Sequence, residues 1–418
     1  LYDTFGFPVD LTTLILNEHK LIFNQEEFNL AMKEQKERSK QAGKVEIGDW
    51  KVLVDTKEDF SGYDNLETKI QITRYRKIKS KDSQQYQLVF NTTPFYAEGG
   101  GQVGDTGFII NEKEKIAILD TKKENNITIH FVEDLPSSPT DVFNAVVDVD
   151  RRKNVSRNHT ATHLLHESLR VILGDHVTQK GSLVHPDYLR FDFSHFTKIT
   201  KKELKNIELD INTKILANIS LEEYLDIPLL EAEKLGAMML FGEKYEDKVR
   251  MIQFNDSKEL CGGTHVSSTG EIGLFKILSE GSTSSGIRRI EAITGLDALN
   301  YLNNKEELVT NLSSIVKNQD LMKGVNQLIS ENKELEKRLK SFKQANSANL
   351  TQDLLKEAVD IGGVRFIAQE VDMGAQELKT ISFSLRKEEN LALVLGAKSG
   401  DKALLSVMLT DDLVEKGL

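Results

Sequence analysis

One cysteine, one tryptophan and six prolines are all that the 418 residues hold of three types that staple or stiffen small folds. The lone Cys261 excludes an internal disulfide framework and suits a reducing compartment. No run of about 18 apolar residues occurs, so no membrane span or membrane partner is expected. Positive charge is also short. Against 65 Asp and Glu stand 54 Lys and Arg, a net charge of −11 that argues against wholesale electrostatic capture of nucleic acid. Any RNA contact must then come from local basic patches. The opening Leu1-Tyr2-Asp3-Thr4-Phe5-Gly6 carries no basic region, no apolar signal core and no initiator methionine. From this we expect a cytoplasmic protein and a segment of a longer chain.

What is present suits a globular chain of two to four folded units, with 39% hydrophobic and 28% charged residues. Residues 1–43 read as helical, a remnant of some preceding domain. Pro8 and Asp10 make a start, and Phe28 and Met32 lie four apart in a second helix that stops at Gly43. From 44 to 149 short alternating runs take over, at 69–75, 86–91, 107–110, 115–120, 127–132 and 142–148, which reads as a small β-barrel or sandwich. Residues 150–298 open on a strong helical pattern and then alternate strands and helices, an α+β layer. Across 299–349, Leu308, Leu312, Ile315, Met322, Val325, Ile329, Leu335, Leu339 and Phe342 recur at helical spacing among charges. Such a coiled-coil-like segment is either a seam between copies of the chain or a helix covering its own domain. Residues 350–418 begin a partial α/β unit, with strands at 364–371, 391–396 and 403–409 and a hairpin-like turn at 398–402. The expected fold is α+β and multidomain.

Chemistry concentrates in two short motifs. In His159-Thr-Ala-Thr-His163 the histidines are four apart inside a helical stretch, so both imidazoles share one face. In Cys261-Gly-Gly-Thr-His265 a thiolate and an imidazole flank a glycine pair that lets the backbone fold tightly. Three nitrogens and one sulfur suit tetrahedral zinc. A metalloprotease would want Glu directly after the first histidine, and Thr160 stands there instead. His166 turns partly off the metal face and reads as a packing residue or a brace. His19, His130, His176, His185 and His195 have no partner at ligand spacing.

At these residues the sequence resembles the alanyl-tRNA synthetase family, over nearly the whole chain and with the motifs in order. Residues 1–10 resemble the segment after the family's aminoacylation core, 95–105 its glycine-rich editing loop, and 158–166 its first zinc motif. Residues 179–183 resemble an active-site strand, 260–266 the second zinc motif, and 279–294 the segment that closes the editing domain. Ser284-Ser285 departs from the small apolar residues frequent in relatives.

The resemblance implies a parent alanine–tRNA ligase that uses ATP and Mg2+ in a catalytic core upstream of Leu1. This segment would carry a zinc-dependent site that hydrolyses seryl- and glycyl-tRNA mischarged on the tRNA for alanine. It implies one Zn2+ on His159, His163, Cys261 and His265, with Thr162 and Gln179 as editing-site residues. Glu98, Gly99, Gly100, Gly101 and Gln102 would form the editing loop, with Glu98 and Gln102 as braces. Asp3 would read the acceptor stem, and Arg151, Arg152, Arg157, Lys180, Arg288 and Arg289 would supply local RNA contacts. A homo-oligomer through the helical segment and C-terminal domain is open. A free-standing deacylase and a non-catalytic zinc-structured RNA-binding module stand as alternatives.

Overall fold

A computed structural model describes Leu16, Glu27, Phe28 and residues 46–79, 84–239, 245–400 and 402–418. Leu16, Glu27 and Phe28 are helical. The rest of the expected helical segment 1–43, with Asp3, lies outside the described residues, as does Asp401 of the expected hairpin turn. The chain divides into two units, residues 1–303 and 304–418.

Strict alternation builds the first part of unit one. In the strand Val142–Val147, Phe143, Ala145 and Val147 are buried and their neighbours are not, the period of a pleated strand with one wet face. This strand pairs antiparallel with Glu67–Lys79, which pairs in turn with Gln84–Phe90. Ile70, Ile72, Leu88, Phe90, Phe95, Ile109 and Val132 join the same core. The sheet is nine-stranded and its ladders follow an open path that ends on Lys115–Ile118 and Asp120–Glu124. The expected barrel is therefore not closed by a ladder. The physical reason is Leu119, between the two end strands. There the chain leaves one partner for the other, and the Leu119 N–H donates to the Phe131 carbonyl at 2.8 Å.

Asp148 then caps the 25-residue helix Val149–Leu173, accepting from the Arg151 N–H. One side of this helix buries Ala161, Leu164, Leu165 and Leu169 in a second core. That core is shared with the four-stranded antiparallel sheet of Gln179–Val184, Leu189–Ser194, Ile287–Thr294 and Phe275–Ser284. The helix Lys201–Leu216 adds Ile207, Ile211 and Ile215 at four-residue spacing. A three-stranded sheet, Glu222–Pro228, Lys248–Phe254 and Ser257–Leu260, ends one residue before Cys261.

The long helical stretch is two helices, Gly295–Val316 and Leu321–Lys356, broken where Lys317 takes a φ of 53°. Leu308, Leu312, Ile315, Met322, Leu335, Leu339 and Phe342 remain exposed on them. In the C-terminal unit the parallel strands Val364–Glu370 and Leu391–Ser399 are joined through the helix Ala375–Leu385. Lys402–Leu409 pairs antiparallel on one side and Val359–Ile361 on the other. Among the described residues no helix is long and apolar enough to cross a membrane.

His130 ties the first core to acid stability. Its ring is buried, stacks on Phe90 at 3.9 Å, donates from Nδ1 to the Leu88 carbonyl and accepts at Nε2 from the Thr93 hydroxyl. Burial lowers its pKa to about 3, so the folded state holds it neutral while the unfolded chain protonates it near its ordinary value. The stability it confers is present above about pH 6.5 and is lost as pH falls towards 3, by up to about 1.4 kcal/mol per pH unit. Denaturant unfolding followed by the single Trp50, whose ring lies 4.3 Å from the Arg76 guanidinium, should show this slope. His130→Gln should flatten it.

Candidate metal centre

The four donors expected from the motifs converge. Ligand atoms of His159, His163, Cys261 and His265 all lie within 4.8 Å of one another. Cys261 Sγ is 3.4 Å from His159 Nε2 and 3.3 Å from His265 Nε2. The two helix histidines present rings 5.2 Å apart, and each lies within 4.6 Å of the His265 ring by centroid. Gly263 makes this approach possible, because a Cβ there would sit 2.0 Å from His159 Cε1.

Two of the three histidines are held from behind by hydrogen bonds. His159 Nδ1–H donates to Gln102 Oε1 at 2.7 Å, and His265 Nδ1–H donates to Thr160 Oγ1 at 3.0 Å. Both bonds select the tautomer whose Nε2 lone pair faces the cluster. His163 Nε2 lies 3.6 Å from the buried Glu259 carboxylate, which also accepts from His166 Nδ1 at 3.0 Å. Burial, then the neighbouring rings and Arg250, hold His159 and His265 well below the ordinary imidazole value. Burial also lowers His163, although Glu259 opposes the shift. Burial pushes the Glu259 carboxyl up, and the His163 and His166 rings more than reverse it.

These are neutral imidazoles, the form a metal needs. The fit rests on one further observation. His163 Nδ1 is buried with no hydrogen-bond partner, a costly state for a polar atom unless something binds the ring. A borderline-soft cation fits three such nitrogens and a thiolate better than a hard, oxygen-seeking one.

Gln102 arrives on the glycine-rich loop. Gly101, at a φ of 82°, lets the loop lie on the strand Gln179–Val184, where a Cβ would meet the Ser182 carbonyl at 2.7 Å. Val184 N–H donates to Gly101 O and Val103 N–H to Val184 O. Gln102 is fully buried, accepts from Thr264 N–H as well as His159, and donates to Thr264 Oγ1. Of the two expected braces, Gln102 reaches the cluster. Glu98 instead faces solvent near Lys122.

The other expected site residues scatter. Thr162 is buried and donates its hydroxyl to the Asn158 carbonyl at 2.8 Å. Gln179, half-buried, opens its strand five residues from the Val184 bridge to Gln102. Of the basic set Arg152 and Arg288 are buried, while Arg151, Arg157 and Arg289 are half-buried. Arg152 is buried against Asp105 and donates to the Gly62 and Pro94 carbonyls. Arg288 is buried against Glu280, and Arg289 pairs with Asp192 at 2.6 Å. Arg151 donates to Gly104 O and Arg157 to Glu271 O. Lys180 is exposed.

Sequence reasoning missed Glu259, Arg250 and Tyr63. Only Glu259 carried a signal, standing two residues before Cys261. His176 and His195, given no partner, bond each other at 2.8 Å.

Comparison with known proteins relates the chain to tRNA synthetases. Residues 1–153 match the family model for tRNA synthetases class II (A). Residues 249–291, which include the Cys261 motif, match the threonyl and alanyl tRNA synthetase second additional domain. The chain is similar along its whole length to the alanine–tRNA ligases of Bacteroides fragilis and Bacteroides thetaiotaomicron, each at 48% identity over 421 residues and 48% of that protein's length. The ligase of Porphyromonas gingivalis matches at 45% over 424 residues, again across 100% of this chain and 48% of the relative. The chain belongs to the alanine–tRNA ligase family. It spans about half the length of the curated relatives it matches.

Two substitutions test the centre. Gln102→Leu removes the acceptor behind His159 and should weaken metal binding about 10- to 100-fold. Gly263→Ala should abolish stoichiometric binding through the clash with His159. Chelator competition on the purified chain measures both.

Proposed function

We propose that this chain carries an editing site that hydrolyses seryl- and glycyl-tRNA mischarged on the tRNA for alanine, with one zinc ion held by His159, His163, Cys261 and His265. The observation behind the reading is the convergence of those four donors with Gln102 aimed at them from the glycine-rich loop. The whole protein would attach alanine to its tRNA in the cytoplasm, with ATP and Mg2+ bound by residues outside this chain. Editing answers a physical need, since a pocket for alanine rejects serine and glycine poorly by binding alone.

Zinc bound there would supply a fixed positive charge and Lewis acidity beside the ester. Gln102 orients His159, and Glu259 stands behind His163. The Thr162 hydroxyl gives its proton to Asn158 O, so its remaining lone pair serves as an acceptor for the substrate's serine O–H. Gln179 offers a carboxamide that donates to and accepts from the ester. Among the basic residues Lys180 suits a phosphate contact, with Arg151 and Arg157 at the margin, and Asp3 would read the acceptor stem. The exposed apolar residues between Leu308 and Phe342 fit a seam between two copies of the chain.

A closed set of four protein ligands favours a second reading, zinc that only shapes an RNA-binding module. Deacylation separates the two. The purified chain should hydrolyse seryl-tRNA faster than alanyl-tRNA, and a zinc-loaded chain that hydrolyses neither would establish the module instead. Thr162→Val keeps the shape and removes the acceptor, so the seryl-to-alanyl rate ratio should fall roughly two- to tenfold with zinc retained. An unchanged ratio removes the hydroxyl-reading role. The chain alone should show no alanine-dependent pyrophosphate exchange.

A further inference from the structure

We propose that Tyr63 and Arg250 form a clamp that positions the Cys261 thiol, and that the loop carrying Tyr63 is thereby a working part of the metal centre. The proposal rests on the reading of the four donors as a metal site. Three consecutive main-chain carbonyls, those of Cys261, Gly262 and Gly263, each accept from a side chain elsewhere in the fold. Arg250 Nη1 donates to Cys261 O and to Gly263 O, both at 2.8 Å. The Tyr63 hydroxyl, from a loop 199 residues away in sequence, donates to Gly262 O at 2.6 Å.

The two clamp residues also hold each other. The Arg250 guanidinium lies 4.1 Å from the Tyr63 ring centroid, and its Nε donates to Glu223. Phe60 meets the edge of the Tyr63 ring at 4.9 Å. Burial pushes the Tyr63 phenol up, so it stays a proton donor across the neutral range.

A glycine pair is the reason such a clamp is needed. Gly262 and Gly263 have no side chains through which packing could restrain them, and glycine has the most backbone freedom to lose. Their carbonyls are the handles left, and all of them are gripped. The restrained turn directs the Gly263 N–H at Cys261 Sγ, 3.3 Å away, which keeps the sulfur facing His159 and His265. Because the same turn binds both the clamp and the metal, each must stabilise the other by the same factor.

Cys261 is the only cysteine of the chain, so its alkylation by iodoacetamide reads the clamp directly, and zinc release to a chelator reads it through the metal. Tyr63→Phe keeps the ring and removes one hydrogen bond. Arg250→Lys keeps the charge and loses the two-armed grip. In metal-free protein Tyr63→Phe should speed alkylation about two- to tenfold, and Arg250→Lys should speed it more. Zinc release should accelerate in step, with the thermal midpoint unchanged. Wild-type rates in both variants overturn the clamp, as does acceleration matched by an equal loss of overall stability. A wild-type chain that takes up no zinc overturns the metal reading, while the alkylation rates still decide whether the clamp exists.

Discussion

The carboxamide oxygen of Gln102 accepts from the His159 ring at 2.7 Å and from the Thr264 main chain at 3.0 Å. This one atom joins three segments that lie far apart in sequence: the glycine-rich loop, the long helix and the turn that carries Cys261. The arrangement needs the loop seated on Val184, the helix rotated so that His159 faces the loop, and a residue without Cβ at 263. The buried pair of Asp105 and Arg152 secures the same loop to the helix start, and Arg152 extends that hold to the Gly62 and Pro94 carbonyls. A cation there is strongly destabilising to remove alone, since its carboxylate would be left buried with only the Tyr96 N–H as a partner.

Burial and charge work together in this centre. The imidazoles are desolvated and crowd one another, and Arg250 adds positive charge nearby, so protonation is disfavoured and the nitrogens stay available as donors. Glu259 balances the far side of His163 and bonds His166, which makes His166 a brace rather than a fifth ligand. Outer hydrogen bonds of this kind fix ring orientation and tune affinity wherever such rings bind a metal. The negative charge of the chain is consistent with how its arginines are used, because several that stand near the site in sequence neutralise carboxylates inside the fold.

Much of this was legible from the residues. The spacing of His159 and His163 implied a shared helix face, and the glycine pair after Cys261 implied a tight turn, and both are present. Short strand-like runs at 107–110 and 142–148 correspond to the strands Gly107–Ile110 and Val142–Val147. The open path of the sheet was not legible, because it depends on Leu119 changing partners, and no residue type marks such a change. Nor could spacing reveal that Arg152 and Arg288 meet Asp105 and Glu280 inside the protein. A basic residue in a sequence looks the same whether its partner is solvent, phosphate or a carboxylate brought in by the fold. Tyr63 escaped notice for the same reason, being joined to the centre only by tertiary structure.

Zinc K-edge X-ray absorption on the purified full chain addresses the centre most directly. Three imidazoles and one thiolate require a shell of three nitrogens at about 2.0–2.1 Å and one sulfur at about 2.3 Å, at one zinc per chain. A chain without zinc, or a shell of nitrogen and oxygen with no sulfur, would contradict a metal centre built from the two motifs.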